Sequence, residues 1–266
     1  LTELTTAHID EYIAEKSKTL APKTVNNHLG VLSKMLGCAV KWNFLDESPY
    51  KGIQPLKVPP SKFQFWTIAE AEVFLETTQK LEPEWYAFFL TALRTGLRQG
   101  ELFALTWDHI SLPDRRLVVA QSFSHGRLTT PKSNRDRTVP MSRHLVTALR
   151  EHRSSLSDLV FPGRDGGYLT PSMVRRAFHR LCRAAGVPKI RFHDLRHTFA
   201  SHMVMRGQPL NTVRDLLGHS DMKMTLRYAH LAPSTRQAAV DCLDEPFGHE
   251  SGHAQGFQAP TGSVRG

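Results

Sequence analysis

Pro55, Pro59 and Pro60, interleaved with Lys57, Ser61 and Lys62, make a stretch that no helix can cross, because each proline lacks a backbone donor and crowds the turn before it. This chain therefore folds as two parts with an extended connector between them. Its 266 residues agree, since that length exceeds what one typical core organises. The expected division is a helical domain over 1–58, a linker over 59–64, a second domain over 65–245 and a flexible tail over 246–266. In the tail Gly, Pro, Ser, His and Gln leave too little apolar mass for a core.

In the first part, Pro22 suits a helix start, and Val25, Leu29, Leu32, Leu36, Ala39 and Val40 recur at helical spacing. Ile9, Tyr12 and Ile13 form a shorter stripe of the same period. The opposite faces carry Lys16, Lys18, Lys23, Asn26, Asn27 and Lys34, which suit a phosphate backbone as well as plain solvent. The sequence opens on Leu1 rather than Met and enters helical pattern almost at once, so this domain is expected to be truncated at its N-terminus.

Beyond the connector, Thr67 to Glu70 reads as a capping box that starts a new helix. A helix through Phe88, Phe89 and Leu93 breaks at Gly96, and helical pattern resumes through Glu101, Leu102 and Leu105. Leu117, Val118 and Val119, then Thr138, Val139 and Pro140, predict a small antiparallel sheet with Lys132 near a turn. Helices are expected again after Ser142, after Thr170, from His193 to Met205, after Asn211 and after Ser220. The fold class is thus mainly α with a small antiparallel β-sheet, in two domains.

Lys and Arg total 34 against 25 Asp and Glu, a formal charge of +9 that favours an anionic partner such as nucleic acid. No apolar run of about 18 residues marks a membrane span. Cys38, Cys182 and Cys242 are odd in number and far apart, which predicts neither disulfides nor a structural zinc site and fits a reducing, cytoplasmic setting.

Four places could carry chemistry. Arg98 lies between Gly96 and Gly100 with Glu101 one turn on, a pattern equally suited to a surface ion pair. His193 and Arg196 are i and i+3, able to face one anion. His193 and His197 are i and i+4 with Asp194 between, superficially a zinc-hydrolase helix, although Arg196 would repel a metal. His197 also reads as a packed or surface histidine. Gly218 ends one helix, His219 is held in the following turn, and Ser220 is expected to cap a helix that carries Tyr228 about two and a half turns in. Lys132 sits among cations, with Arg135 and Arg137 close by.

Order and spacing bring these pieces together. From about Thr6 to Leu243 the sequence resembles the tyrosine recombinase, or phage integrase, family: Thr95 to Trp107 looks like its first box, with Arg98 as first arginine. Lys132 falls on its hairpin lysine, His193 and Arg196 on its His-x-x-Arg element, His219 on its Leu-Gly-His turn and Tyr228 on its nucleophile. The resemblance implies a catalytic set of Arg98, Lys132, His193, Arg196, His219 and Tyr228, with Glu101 supporting Arg98. DNA-binding candidates are Lys23, Asn26, Asn27, Lys34, Arg135 and Arg137. It further implies strand breakage through a 3′-phosphotyrosyl ester, with His193 as base and Lys132 as acid, and no metal or other cofactor. Both domains would form a C-shaped clamp on double-stranded DNA, and four protomers would join two sites, helped by accessory DNA-bending proteins. Ala238, Val240 and Leu243 would dock on a neighbour. Integration or excision of a phage or mobile element is the expected task, with chromosome-dimer resolution as alternative. A type IB topoisomerase, a metallohydrolase and a non-catalytic DNA-binding protein are more distant readings.

Overall fold

A computed structural model describes residues 3–59, 63–130, 136–153 and 157–233. The chain divides into two compact units, Leu1–Lys62 and Phe63–Gly266. Lys132, Arg135, Ala238, Val240, Leu243 and the 246–266 tail lie outside the described residues.

The first unit is built on α1 (Thr6–Ser17) and α2 (Pro22–Lys41). Pro22 stands at the first helical position, where its missing N–H costs nothing. Ile9, Val25, Leu29 and Leu36 are buried together, with Ile13, Leu32 and Tyr50 packed against them. Asn26 is half-buried and is spent locally: its amide donates to the Leu56 carbonyl and accepts from the Leu56 N–H, both at 2.8 Å. That pairing pins the departing chain to α2 and occupies both ends of the amide that was expected to meet DNA. Lys23, Asn27 and Lys34 are exposed on the same helix, but so are Val31 and Met35, so its outer face is less uniformly polar than expected.

The second unit opens on α3 (Ile68–Leu81), started by the Thr67–Glu70 capping box, followed by α4 (Tyr86–Thr95) and the short α5 (Gln99–Phe103). Among the described residues five short strands come next: β1 (Ile110–Ser111), β2 (Arg116–Val119), β3 (Ser122–Ser124), β4 (Arg127–Thr129) and β5 (Arg137–Pro140). They make two antiparallel sheets rather than the single one expected, with orders β1-β2-β5 and β3-β4. The division follows from His125 and Gly126, both at positive φ, which close β3 onto β4 in a two-residue turn whose twist suits a hairpin. Helices α6 (Arg143–His152), α7 (Pro171–Ala185), α8 (Asp194–Met205), α9 (Leu210–Leu217) and α10 (Lys223–Leu226) complete the unit.

Ser142 and Thr170 cap α6 and α7 as read from sequence, whereas Ser220 caps nothing: α10 begins at Lys223 and runs four residues. Tyr228 lies beyond its end and leads into a 3-10 turn, Ala229–Leu231, instead of sitting inside a helix. The core is aromatic, with Trp66, Phe74, Phe88, Phe89 and Phe178 fully buried, and Trp66 also donates its indole N–H to the Pro188 carbonyl at 2.8 Å. Against this core α8 is buried on every side despite its polar sequence. Its polar groups therefore need internal partners, and those partners define the site.

Candidate active site

Gly96 ends α4 in the left-handed conformation (φ 64°), and a Cβ added there would lie 2.5 Å from the Phe199 ring. The chain turns there and places Arg98 in extended backbone just before α5. Glu101, 2% exposed, returns to Arg98: its carboxylate accepts the Arg98 backbone N–H at 2.7 Å and Nη1 at 2.9 Å. The same carboxylate accepts Arg137 Nη1 at 2.9 Å and Nη2 at 2.7 Å, a bidentate fork from the first residue of β5. Burial alone would raise the Glu101 carboxyl, but the Arg137 fork and Arg98 outweigh it and hold the group at about 2. Arg137 was expected to meet DNA. Its side chain is only 9% exposed, and its Nε donates to the Leu216 carbonyl at 3.2 Å, so it belongs to the interior of this network.

Arg196 rises from α8 and is 4% exposed. Nη1 donates to the Gly96 carbonyl at 2.7 Å and Nη2 to the Leu217 carbonyl at 2.6 Å, joining the turn before Arg98 to the end of α9. The carbonyls at a helix C-terminus lack intrahelical partners, and two of them here are met by guanidinium groups from elsewhere in the chain. Gly218 then turns the chain at φ 63°, and His219 follows, with Nδ1 2.9 Å from the Thr225 hydroxyl. Burial, then Arg196 and Arg98, lower His219 to about 3; burial and then Arg98 lower Arg196 to about 9. Around the buried carboxylate of Glu101 stand the cations Arg98, Arg137 and Arg196. That surplus of positive charge suits an anion.

The remaining side of the site is aromatic. Tyr228 is 1% exposed, and its hydroxyl lies 2.5 Å from His197 Nδ1. Phe63 packs edge-on to the phenol with centroids 5.0 Å apart and tilts over the His197 ring at 5.1 Å. Burial raises the phenol to about 12, and burial followed by His193 lowers His197 to about 4. Both groups are thus neutral at pH 7, and they share one hydrogen bond. His193 sits at the start of α8, solvent-reachable yet recessed; its pKa is lowered by desolvation and then by Arg196, and its ring meets His197 edge-on at 5.2 Å.

Residues 64–235 match the profile described as the phage integrase family. The chain belongs to that family. This tyrosine recombinase is 30% identical over 272 residues to the tyrosine recombinase XerC-like protein of Caldanaerobacter subterraneus subsp. tengcongensis, covering 88% of this chain and 67% of that one. To the ICEBs1 integrase of Bacillus subtilis it is 28% identical over 248 residues, covering 85% of this chain and 66% of the other. Its fold resembles the Tn1549 transposon integrase solved with a circular intermediate DNA, at a TM-score of 0.77 and 23% identity over 92% of this chain and 86% of that one.

Within this recombinase the structure gathers Arg98, Glu101, Arg196 and His219 through hydrogen bonds among their own segments, and brings both Tyr228 and His193 against His197. Two findings differ from what the sequence led one to expect. The histidine in contact with the phenol is His197, outside the expected catalytic set, and Arg137, expected to meet DNA, is a buried partner of Glu101. Sequence carried little signal for His197, since the spacing that lines it up with His193 says nothing of a tyrosine 31 positions away. For Arg137 the signal was no better, since Glu101 lies 36 positions away. Among the described residues no group of three or more His, Cys, Asp or Glu could hold a metal ion, and no helix is long and apolar enough to cross a membrane.

Proposed function

We propose that this recombinase breaks and rejoins double-stranded DNA at a specific site, with Tyr228 as nucleophile. The observation that carries the reading is the cationic recess in which Arg98 and Arg196 stand beside His219, three arginines around one carboxylate, with a buried tyrosine on the adjoining wall. The Tyr228 oxygen attacks the scissile phosphorus, the bond to the 5′ oxygen breaks, and a 3′-phosphotyrosyl ester conserves the bond energy until another 5′ hydroxyl reverses the step. Charge grows on the non-bridging oxygens, where Arg98 and Arg196 supply N–H groups beyond those already bonded. When the Thr225 hydroxyl donates to Nδ1 of neutral His219, the Nε2–H is left to donate as well.

His193 is the proposed acceptor of the phenol proton once Tyr228 leaves His197 for the phosphate, because an arriving anion offsets the arginine charges that now depress its pKa. Lys132, between β4 and β5 in the chain, is the proposed donor to the 5′ oxygen. Lys23, Asn27, Lys34 and Arg135 are proposed backbone contacts, and four protomers on two sites would complete strand exchange, with accessory bending proteins where the DNA must curve. Integration or excision of a mobile element is the favoured task, supported by the integrase relative. Dimer resolution is the second reading, supported by the XerC-like one.

The test is a library of nicked suicide duplexes randomised around the nick, incubated with the full chain and then denatured. Covalent adducts should form, their DNA should share one core sequence, and Tyr228→Phe should yield none. Adducts that persist in Tyr228→Phe, or adduct DNA with no shared sequence, would overturn the proposal.

A further inference from the structure

We infer that Arg137 is a positioning residue of the strand-cleaving site, acting through Glu101 on Arg98 and through the end of α9 on His219; the catalytic part of this inference rests on the function proposed above. Its guanidinium touches two segments that are far apart in sequence. Two N–H groups clamp both oxygens of Glu101, and the third, Nε–H, caps the carbonyl of Leu216. The same Glu101 oxygens receive the Arg98 backbone and side chain, so the direction of the Arg98 guanidinium follows from where Arg137 holds the carboxylate.

On its other flank Arg137 fills the space beside Gly218. A Cβ on Gly218 would lie 2.8 Å from Arg137 Cδ and 3.1 Å from Nε, so the turn that carries His219 is moulded against this side chain. The arginine also begins β5, which pairs with β2 through Val119↔Arg137. One side chain thereby sets the bearings of Arg98 and the His219 turn. Losing it would leave Glu101 buried with one cationic partner in place of two and would open a gap under Gly218.

A DNA-contact role and a positioning role differ in what they move. A phosphate contact strengthens binding of any duplex and adds about one to the slope of log affinity against log salt. A positioning role leaves binding alone and slows chemistry. The experiment uses the full chain as wild type, Arg137→Gln and Arg137→Lys, the last preserving charge should the glutamine variant fail to fold. First, affinity for a duplex of arbitrary sequence is measured across a salt series; unchanged affinity and slope are expected, and a slope lowered by about one overturns the inference. Second, the Glu101 carboxyl is titrated by carbon-13 NMR. It should climb from about 2 toward the ordinary 4.5 in the glutamine variant and by less in the lysine variant; a carboxyl that stays at about 2 overturns the inference. Third, single-turnover adduct formation on a duplex recovered from the suicide library should slow about 100-fold in Arg137→Gln with Kd unchanged, and Arg137→Lys should recover part of the rate. A glutamine variant cleaving at the wild-type rate overturns the catalytic part. If the wild-type chain forms no adduct, the recombinase reading falls, while the salt series and the Glu101 titration still decide whether Arg137 sets the carboxylate or grips DNA.

Discussion

The arginine wall and the tyrosine wall of the site are built on opposite plans. Arg137 and Arg196 are each fixed by two or more hydrogen bonds to groups outside their own segments, and Arg98 is held by the Glu101 carboxylate that Arg137 shares. Tyr228 follows a four-residue helix and is buried in the cluster that holds Phe199, Val213 and Leu217, with one side-chain hydrogen bond and the edge of Phe63 against its ring. As the proposed phosphate receptor, the first wall is prebuilt, so its geometry would cost nothing at the moment of reaction. The second keeps the oxygen proposed as nucleophile covered and protonated at pH 7.

Arg196→Lys should break the receptor wall most severely. A lysine cannot span the Gly96 and Leu217 carbonyls together, so unfolding in urea should come easier by about 3 kcal/mol and adduct formation should fall by at least about 100-fold. Gly218→Ala strikes the same wall from the backbone: positive φ and the Arg137 contact should cost about 2 kcal/mol in the same assay, and a variant as stable as wild type would show that Arg137 yields freely there. His197→Ala strikes the other wall and should cost only about 1 kcal/mol. Its phenol should titrate below about 12 by tyrosinate absorbance, approaching the ordinary 10.0, and a phenol that still titrates at about 12 would mean that His197 does not help to keep it covered.

Acidification touches both walls at once. His197 and His219 titrate at about 4 and about 3, below the ordinary 6.5, so both are neutral in the folded protein where the unfolded chain already carries their protons. Stability is then full above pH 6.5 and declines as pH falls through the window below it. Melting temperature should drop steadily between pH 7 and pH 4, and less steeply in His219→Gln than in wild type; parallel slopes would remove His219 from the account.

How far the sequence revealed all this varied with the range of the interaction. Local signals read well: Pro22, Ser142 and Thr170 start helices, Thr67 with Glu70 makes its capping box, and Gly96 and Gly218 end helices in the left-handed conformation. These are decided within four or five residues. Pairings over longer range did not read. Nothing near Asn26 announces Leu56, nothing near His197 announces Tyr228, and Arg137 among its cationic neighbours looks like any surface charge until the Glu101 pocket closes on it. Tyr228 was misplaced within a helix because apolar spacing continues past Leu226 while the helix itself stops. The order of motifs identified the candidate set, and the packing of α8 supplied its contacts.

The two guanidinium caps on α9 also bear on when the protein becomes active during its synthesis. Arg196 closes onto Gly96 across 100 residues and onto Leu217 across 21, and Arg137 reaches Leu216 across 79. A nascent chain that has already released Arg98 and Arg137 from the ribosome still lacks α8 and α9, so Arg137 has no Leu216 carbonyl to meet, Arg196 is not yet made, and the proposed phosphate site is incomplete. Contacts of such separation form late, after the cost of closing long loops has been met. On the proposed mechanism the capacity to cut DNA therefore arrives only once α9 has been made, close in time to Tyr228 itself, and a half-made protein is chemically silent.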